Sequence, residues 1–275
     1  MPHLITVLVH TPAHSRISSA LSYACESDLP QGTLVRVPLG RREVLGVVWS
    51  GLSDQAGGEA LAPEQVRPVS AVLHELPALN ASWRSLITFT ARYYHRSPGE
   101  VAQAALPTAL RSASAEQIAR RIAKATPKAD SAPSDAKSDT KTPAEPGVDW
   151  VLTPAQKEAV LSVRRKDGPF LLFGATGSGK TEVYLRCAEE VLQEDATAQV
   201  LVLVPEINLT PQVVRMLKQR FAPSYGEHAV QSLHSGMTPV QRFNSWLQAH
   251  LGHTRVLLRS EEHTSELQSP CNLVC

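Results

Sequence analysis

Eight residues, Gly174-Ala175-Thr176-Gly177-Ser178-Gly179-Lys180-Thr181, constrain this chain more than any others. They fit G-x-x-x-x-G-K-[ST]. The apolar run Phe170-Leu171-Leu172-Phe173 stands directly before them and the helix-forming stretch TEVYLRCAEEVL directly after. Glycines at this spacing let successive backbone N–H groups turn inward, and the following helix N-terminus adds partial positive charge. Such a loop surrounds phosphate oxygens. Lys180 has the reach for β- and γ-phosphates, and the Thr181 hydroxyl stands where it can ligand Mg²⁺. ATP with Mg²⁺ is the expected ligand, and all eight residues are assigned to it. The motif also dictates local structure, because it needs a strand before it and a helix behind it.

The surrounding sequence supplies both. From Trp150 onward, helical and apolar strand patterns alternate. Thr153-Pro154 reads as an N-cap followed by proline at the first helical position. Phe170–Phe173 and Val200–Val204 read as buried strands, and the repeated strand–helix order predicts a parallel α/β sheet. Hydrolysis would further need a carboxylate at a strand end. In VLVLVPEI, Pro205 separates strand from acid, so Glu206 suits that role poorly and reads better as a loop carboxylate capping the next helix. Another phosphate-loop translocase or nucleotidase using Glu206 is the alternative enzyme reading.

Residues 1–111 form a different unit. ITVLVH and TLVRVPLGRREVLGVVW are short β-rich runs broken by Pro38 and Gly40, a strand–turn–strand pattern. SWRSLITFTARYYHRS places Trp83, Leu86, Ile87, Tyr93 and Tyr94 at helical spacing, and Pro98-Gly99 is expected to stop that helix. This predicts a small α+β domain. Residues 112–149 begin with a short helix and then become Ala, Pro, Ser, Asp, Lys and Thr, a composition that cannot offset its ordering entropy and predicts a flexible linker. Net charge is +1, from 27 basic against 26 acidic residues, so any nucleic-acid partner must be argued from motifs. The N-terminus lacks a secretory pattern and no stretch is long enough to span a membrane, so a cytoplasmic protein is expected. Cys25, Cys187, Cys271 and Cys275 are too scattered for a disulfide framework, and Cys271-x3-Cys275 is half a metal site without partners.

Taken together, LLFGATGSGKTEVYL, VLVLVPEINLTPQ and LHSGMTP resemble the motor of the PriA-type replication-restart DNA helicases of superfamily 2, the primosomal protein N′ family. LVRVPLGRREVLGVV and ARYYHRSPGEVAQAALPTALR are similar to that family's 3′-DNA-end-binding domain. The resemblance covers residues 1–111 and 151–258. It implies a RecA-like lobe over 150–258 and ATP-driven 3′→5′ unwinding at stalled forks. The implied partners are forked and single-stranded DNA, the primosome proteins and single-strand-binding protein. It further implies that Glu206, Thr210 and Gln212 face single-stranded DNA, with the helix start at Thr210-Pro211 offering N–H groups to a phosphate. His234 and Ser235 resemble the next DNA-facing motif, or His234 is structural. Gln156 sits where such motors read the adenine edge, or it faces solvent. Tyr23 and Gly40 match the 3′-end pocket, with Ser22 where the family carries Asp; Tyr23 otherwise fills the core. The family's winged helix is replaced by the linker, and its zinc-binding cysteines are absent from this sequence.

At the C-terminal end, Val256-Leu257-Leu258 reads as a strand, and the resemblance stops there. Glu261-Glu262-His263 mimics an acidic box but lacks the metal-binding Asp. RSEEHTSELQS reads instead as the translation of a sequencing-library adapter. Residues 259–275 are therefore expected to be disordered and without role, with the first lobe ending early at 258. On this reading the polypeptide binds nucleotide without hydrolysing it. Residues 1–111 fold alone, and 150–258 is poorly soluble because its sheet leaves an unpaired edge. A non-catalytic fork-DNA-binding module is the remaining alternative.

Overall fold

Alternating apolar residues build the N-terminal sheet, and the computed structural model shows both of its faces covered. The structure describes residues 3–11, 19–50, 66–125, 151–165, 168–205 and 211–261. In chain order the first elements are β1 (His3–Leu8), β2 (Ala20–Cys25), β3 (Leu34–Leu39), β4 (Arg42–Trp49) and β5 (Ala71–Val72). Helices α1 (Ala81–Tyr93), α2 (Pro98–Ala105), α3 (Thr108–Ser112) and α4 (Ala115–Ala125) follow. The later part holds α5 (Pro154–Arg164), α6 (Lys180–Glu194), β6 (Val200–Pro205), α7 (Pro211–Tyr225), β7 (Val230–Leu233), α8 (Pro239–His250) and β8 (Val256–Glu261). Contacts divide the chain into two units, residues 1–126 with 236–251, and residues 127–235 with 252–275.

In the first unit the strands run antiparallel in the order β2-β1-β4-β3-β5. The predicted strand–turn–strand is the β3–β4 hairpin, whose last pair Leu39↔Arg42 leaves Gly40-Arg41 as the turn, while Pro38 stays inside the strand. Residues 67–72 reach both edges. Ala24 N donates to Arg67 O and Val69 N to Ala24 O on the β2 side, and Ala71 and Val72 pair with β3. Both edge strands are thereby engaged, and the sheet closes around Val7, Tyr23, Val35, Val37 and Val48. The opposite face, carrying Leu8, Leu34, Leu45, Val47 and Trp49, packs under helices.

Two features depart from the sequence reading. Pro98-Gly99 do not merely stop α1: they open α2, with Ser97 as N-cap accepting from Glu100 N at 3.2 Å. Gly99 is required there, since a Cβ would lie 2.0 Å from the Val9 carbonyl oxygen. The unit also does not end at residue 111. Ala113, Ile118, Phe243 and Leu247 are buried in the same core as Leu110, so α4 and α8 belong to it. Arg121 of α4 lies 5.3 Å over the Phe243 ring and donates to Asn244 Oδ1 at 3.3 Å. The predicted linker is therefore helical and packed as far as Ala125, and the rest of it lies outside the described residues. Buried Arg36 of β3 holds the end of α3 by donating to the carbonyls of Leu110 and Arg111 at 2.8 Å each, and to that of Ala113. Burial lowers the Arg36 pKa, with Glu43 opposing.

The second unit is a parallel sheet, β6-β8-β7, as the strand–helix alternation predicted. Leu185, Ala188 and Leu192 of α6 pack on it with Leu217 and Phe221 of α7. Arg220 joins the two helices through a fork to Glu182 (2.7 and 2.8 Å) and two bonds to Glu189 (2.6 and 3.0 Å). β8 runs to Glu261, three residues past the expected limit at Leu258. Arg259, Ser260 and Glu261 continue the ladder because β6 offers Leu203, Val204 and Pro205 as partners, and pairing needs only their backbone. Residues 262–275 lie outside the described residues. The predicted strand Phe170–Phe173 is not one. Leu171 and Phe173 are 90% and 93% exposed, and among the described residues no strand pairs with them. Apolar character cannot make a strand without a neighbour to bond its N–H and C=O groups.

Phe243→Ala is expected to cost the first unit about 3–5 kcal/mol, read as a lower urea midpoint by tryptophan fluorescence. An unchanged midpoint would contradict the place given to α8. His250, whose Nε2 bonds the Pro77 carbonyl at 2.8 Å, has its pKa held below 6.5 by burial, against the opposing effect of that bond. The folded state thus favours the neutral ring. Its stabilisation is complete above 6.5 and declines as pH falls through that value. His250→Gln should flatten this acid limb of the midpoint-versus-pH curve.

Candidate functional site

Helix α6 places the phosphate loop. The turn 195–199 joins it to β6 and the two pack together, so they run in opposite directions. Buried Arg255, just before β8, confirms the orientation. It donates to the carbonyls of Asp195 at 2.8 Å, Leu192 at 3.2 Å and Ala196, holding the α6 C-terminus at the edge where the strands begin. The α6 N-terminus therefore lies at the edge where they end. Open parallel sheets bind their ligands at that edge.

The loop itself is held from its helical side. Gly177 and Gly179 have φ of +80° and +81°, values that L side chains rarely adopt, and Gly179 is the N-cap of α6. No side chain caps this helix, which leaves its first N–H groups and its dipole to the loop. Lys180 Nζ donates to the carbonyls of Gly174 at 2.6 Å and Ala175 at 2.8 Å, so the ammonium sits inside the curve of the loop. Thr176, Ser178 and Thr181 are exposed.

Gln156 belongs to this site by a route the sequence did not suggest. Thr153 and Gln156 form a capping box at the start of α5, with Thr153 N donating to Gln156 Oε1 at 2.8 Å. The other end of the same side chain donates from Nε2 to the Gly179 carbonyl at 3.2 Å. Val160, Val183 and Cys187 pack α5 against α6 and hold that contact in place. Both polar atoms of Gln156 are used within the protein, so it braces the loop rather than facing solvent.

The DNA-facing candidates divide. Glu206 and Thr210 lie outside the described residues; α7 begins at Pro211 as expected, with Gln212 exposed in its first turn. His234 and Ser235 directly follow β7, half-buried, at the edge where the strands end. Thr238-Pro239 opens α8 with a capping box to Gln241.

In the first unit, Gly40 lies in the exposed β3–β4 turn. Tyr23 is buried, and its hydroxyl donates to the Pro38 carbonyl at 3.0 Å. Burial raises its pKa, with Arg67 opposing. The ring is committed to the core, the alternative that the sequence left open, and is not exposed to stack on a base. Ser22, next to it on β2, points to the opposite face. Arg67, which no motif marked, donates to the Gly40 carbonyl at 3.0 Å and brings a positive charge to this turn. Only the return of the chain from β2 to residues 67–69 places it there, so local pattern could not have found it.

Among the described residues no helix is long and apolar enough to cross a membrane, and no cluster of His, Cys, Asp or Glu is placed to hold a metal.

Two family models match the chain. Residues 6–107 match the PriA 3′DNA-binding domain, and residues 153–266 match the DEAD/DEAH box helicase domain, past the point where the sequence resemblance was expected to stop. The chain is similar to proteins named replication restart protein PriA. It is 42% identical over 109 residues to that of Synechocystis sp., covering 39% of this chain and 12% of the relative. It is 46% identical over 89 residues to that of Haemophilus influenzae, covering 32% and 11%. The protein from Rickettsia conorii is 27% identical over 225 residues, covering 79% and 30%. The chain thus spans well under two thirds of these relatives' length.

Gly179→Ala should strain the loop at its positive φ and push on Gln156, since a Cβ there would lie 2.3 Å from Nε2. Affinity for a fluorescent ATP analogue is expected to fall about tenfold, the factor for ~1.4 kcal/mol, which is within the strain range of such a backbone position. Far-UV circular dichroism should not change. Undiminished affinity would contradict the loop geometry.

Proposed function

We propose, for a chain that carries a PriA-type 3′DNA-binding domain and a DEAD/DEAH box helicase region and so belongs to the PriA-type replication-restart family, a role in fork recognition and in nucleotide binding without hydrolysis, within a whole protein that unwinds stalled forks with ATP. The single observation that carries this reading is the phosphate loop at the α6 N-terminus, with Lys180 held inside its curve. The residues present fit ATP and Mg²⁺. Backbone N–H groups of 174–181 would hold phosphate oxygens, Lys180 would move from the Gly174 and Ala175 carbonyls to the β- and γ-phosphates, and Thr181 would ligand the metal. ATP supplies the free energy of its terminal phosphate bond. What this chain contributes is binding, orientation and charge.

The whole protein is a 3′→5′ helicase that begins primosome assembly in the cytoplasm, with primosome proteins and single-strand-binding protein as partners. Within this chain, His234, Ser235, Gln212, Thr210 and Glu206 form the single-strand contacts of the second unit. His234 and Ser235 stand at the same sheet edge as the phosphate loop, which supports coupling between nucleotide and strand. In the first unit the turn at Gly40, with Arg67 on its carbonyl, receives the 3′ end; Arg67 supplies charge and Ser22 carries none.

Two binding measurements on the full chain test the proposal. Lys180→Ala is expected to lower ATP affinity at least about tenfold, as the loss of one charge-assisted contact set worth ~1.5–3 kcal/mol, while fork DNA binding persists. A fork with a free recessed 3′ end should bind more tightly than the same fork with that end closed in a hairpin. Equal ATP affinity in the variant would defeat the nucleotide assignment, and equal affinity for the two forks would defeat the 3′-end assignment.

A further inference from the structure

Helix α1 wears an aromatic face that the core does not use. Ile87 and Ala91 point inward and are buried, yet Leu86, Phe89, Tyr93 and Tyr94 are 59–66% exposed. Leu86, Tyr93 and Tyr94 are among the apolar residues whose spacing predicted this helix, and the structure sends them outward. The rings are ordered against each other. Phe89 and Tyr93 stack with centroids 5.8 Å apart and planes 24° apart, and Tyr94 meets Tyr93 edge-on at 4.9 Å. Three exposed aromatic rings in contact are costly to leave in water without a partner.

The helix that carries them has charge of one sign. Residues 81–96 contain Arg84, Arg92, His95 and Arg96 and no carboxylate, in a chain whose net charge is only +1. Phe89, Tyr93, Arg84 and Arg92 line a groove of about 830 Å³ with Ser85 and Thr88. Arg84 is fixed there by bonds from Nη1 to the carbonyls of Leu79 at 2.8 Å and Gln31 at 3.0 Å. Arg92 has no side-chain partner among the described residues, and Arg96 makes only an exposed pair with Glu100 at 3.6 Å. A basic groove bearing stacked aromatics suits a strand whose bases are unpaired, because every base offers a π-face and every linkage a phosphate.

We propose that this face of α1 is a binding surface for the interior of a single DNA strand, with bases on Phe89, Tyr93 and Tyr94 and phosphates on Arg92 and Arg96. The inference rests on the DNA-binding reading above and extends it, since an interior strand needs no free 3′ end. From Leu86 to Tyr93 the helix rises about 10 Å, room for about three bases at ~3.4 Å per step. A protein partner would need apolar complementarity alone and leaves the concentration of arginines unexplained.

The test is fluorescence anisotropy of the full chain with a labelled oligothymidylate, ending in either a 3′-phosphate or a 3′-hydroxyl. Phe89→Ala with Tyr93→Ala should weaken both strands by about tenfold or more, the effect of losing base–aromatic stacking, and should leave their affinity ratio unchanged. Tyr93→Phe, which keeps the ring, should bind as the parent does. Both substituted side chains are exposed, and an unchanged urea midpoint shows that the fold is intact. Equal binding of the blocked strand by parent and double variant overturns the proposal, as does failure of the parent to bind it. A parent that ignores the 3′ end while the double variant still loses affinity would sink the 3′-end assignment and support this surface.

Discussion

The guanidinium of Arg255, buried on the last carbonyls of α6, is the contact on which the second unit depends. A helix ends with carbonyls that its own backbone cannot satisfy and with a partial negative charge. Arg255 answers both, and it does so from the residue that leads into the central strand, β8. Strand and helix are thereby locked antiparallel, and the opposite end of α6 is delivered to the edge where the strands finish. The phosphate loop follows from that placement. Its own strand-side segment, Phe170–Phe173, pairs with no strand among the described residues, and Lys180 and Gln156 hold the loop from the helical side.

The first unit repeats the device with different elements. Arg36, inside a closed antiparallel sheet, reaches the carbonyls at the end of α3 and ties the helical layer to β3. Arg36 bears its charge where burial opposes it, and both guanidinium groups sit at a helix C-terminus, one of the few buried places that favours a cation. The layer that Arg36 anchors draws on distant sequence. Phe243 and Leu247 arrive from residues 236–251, beyond the phosphate loop, and complete a core begun by Leu8 and Leu34.

Legibility followed the range of the interactions. The phosphate loop, the helix starts at Pro154 and Pro211, the β3–β4 hairpin and the parallel sheet were all readable, because each is written in neighbouring residues. What sequence could not show was assembly over distance. Phe170–Phe173 has the composition of a strand and pairs with none among the described residues. Tyr23 matches a site motif, yet its hydroxyl meets Pro38 across the hairpin and the ring is core. Arg67 and Gln156 acquire their places only when chain segments tens of residues apart are brought together. The boundary at residue 111 failed for the same reason, since no local signal announces that α8 will pack against α3 and α4. The aromatic face of α1 was visible as periodicity, but which side turned inward depended on the sheet beneath it.

On the proposed function, α6 presents a phosphate-binding N-terminus built from the backbone of residues 174–181. Amide chemical shifts measure this most directly. Adding ATP with Mg²⁺ to the ¹⁵N-labelled chain should move the Gly177, Gly179 and Lys180 amide resonances downfield, as N–H groups turn onto phosphate oxygens. Amides of the β3–β4 turn should stay where they are. Loop amides that do not respond at saturating nucleotide would contradict a phosphate-binding role for this loop.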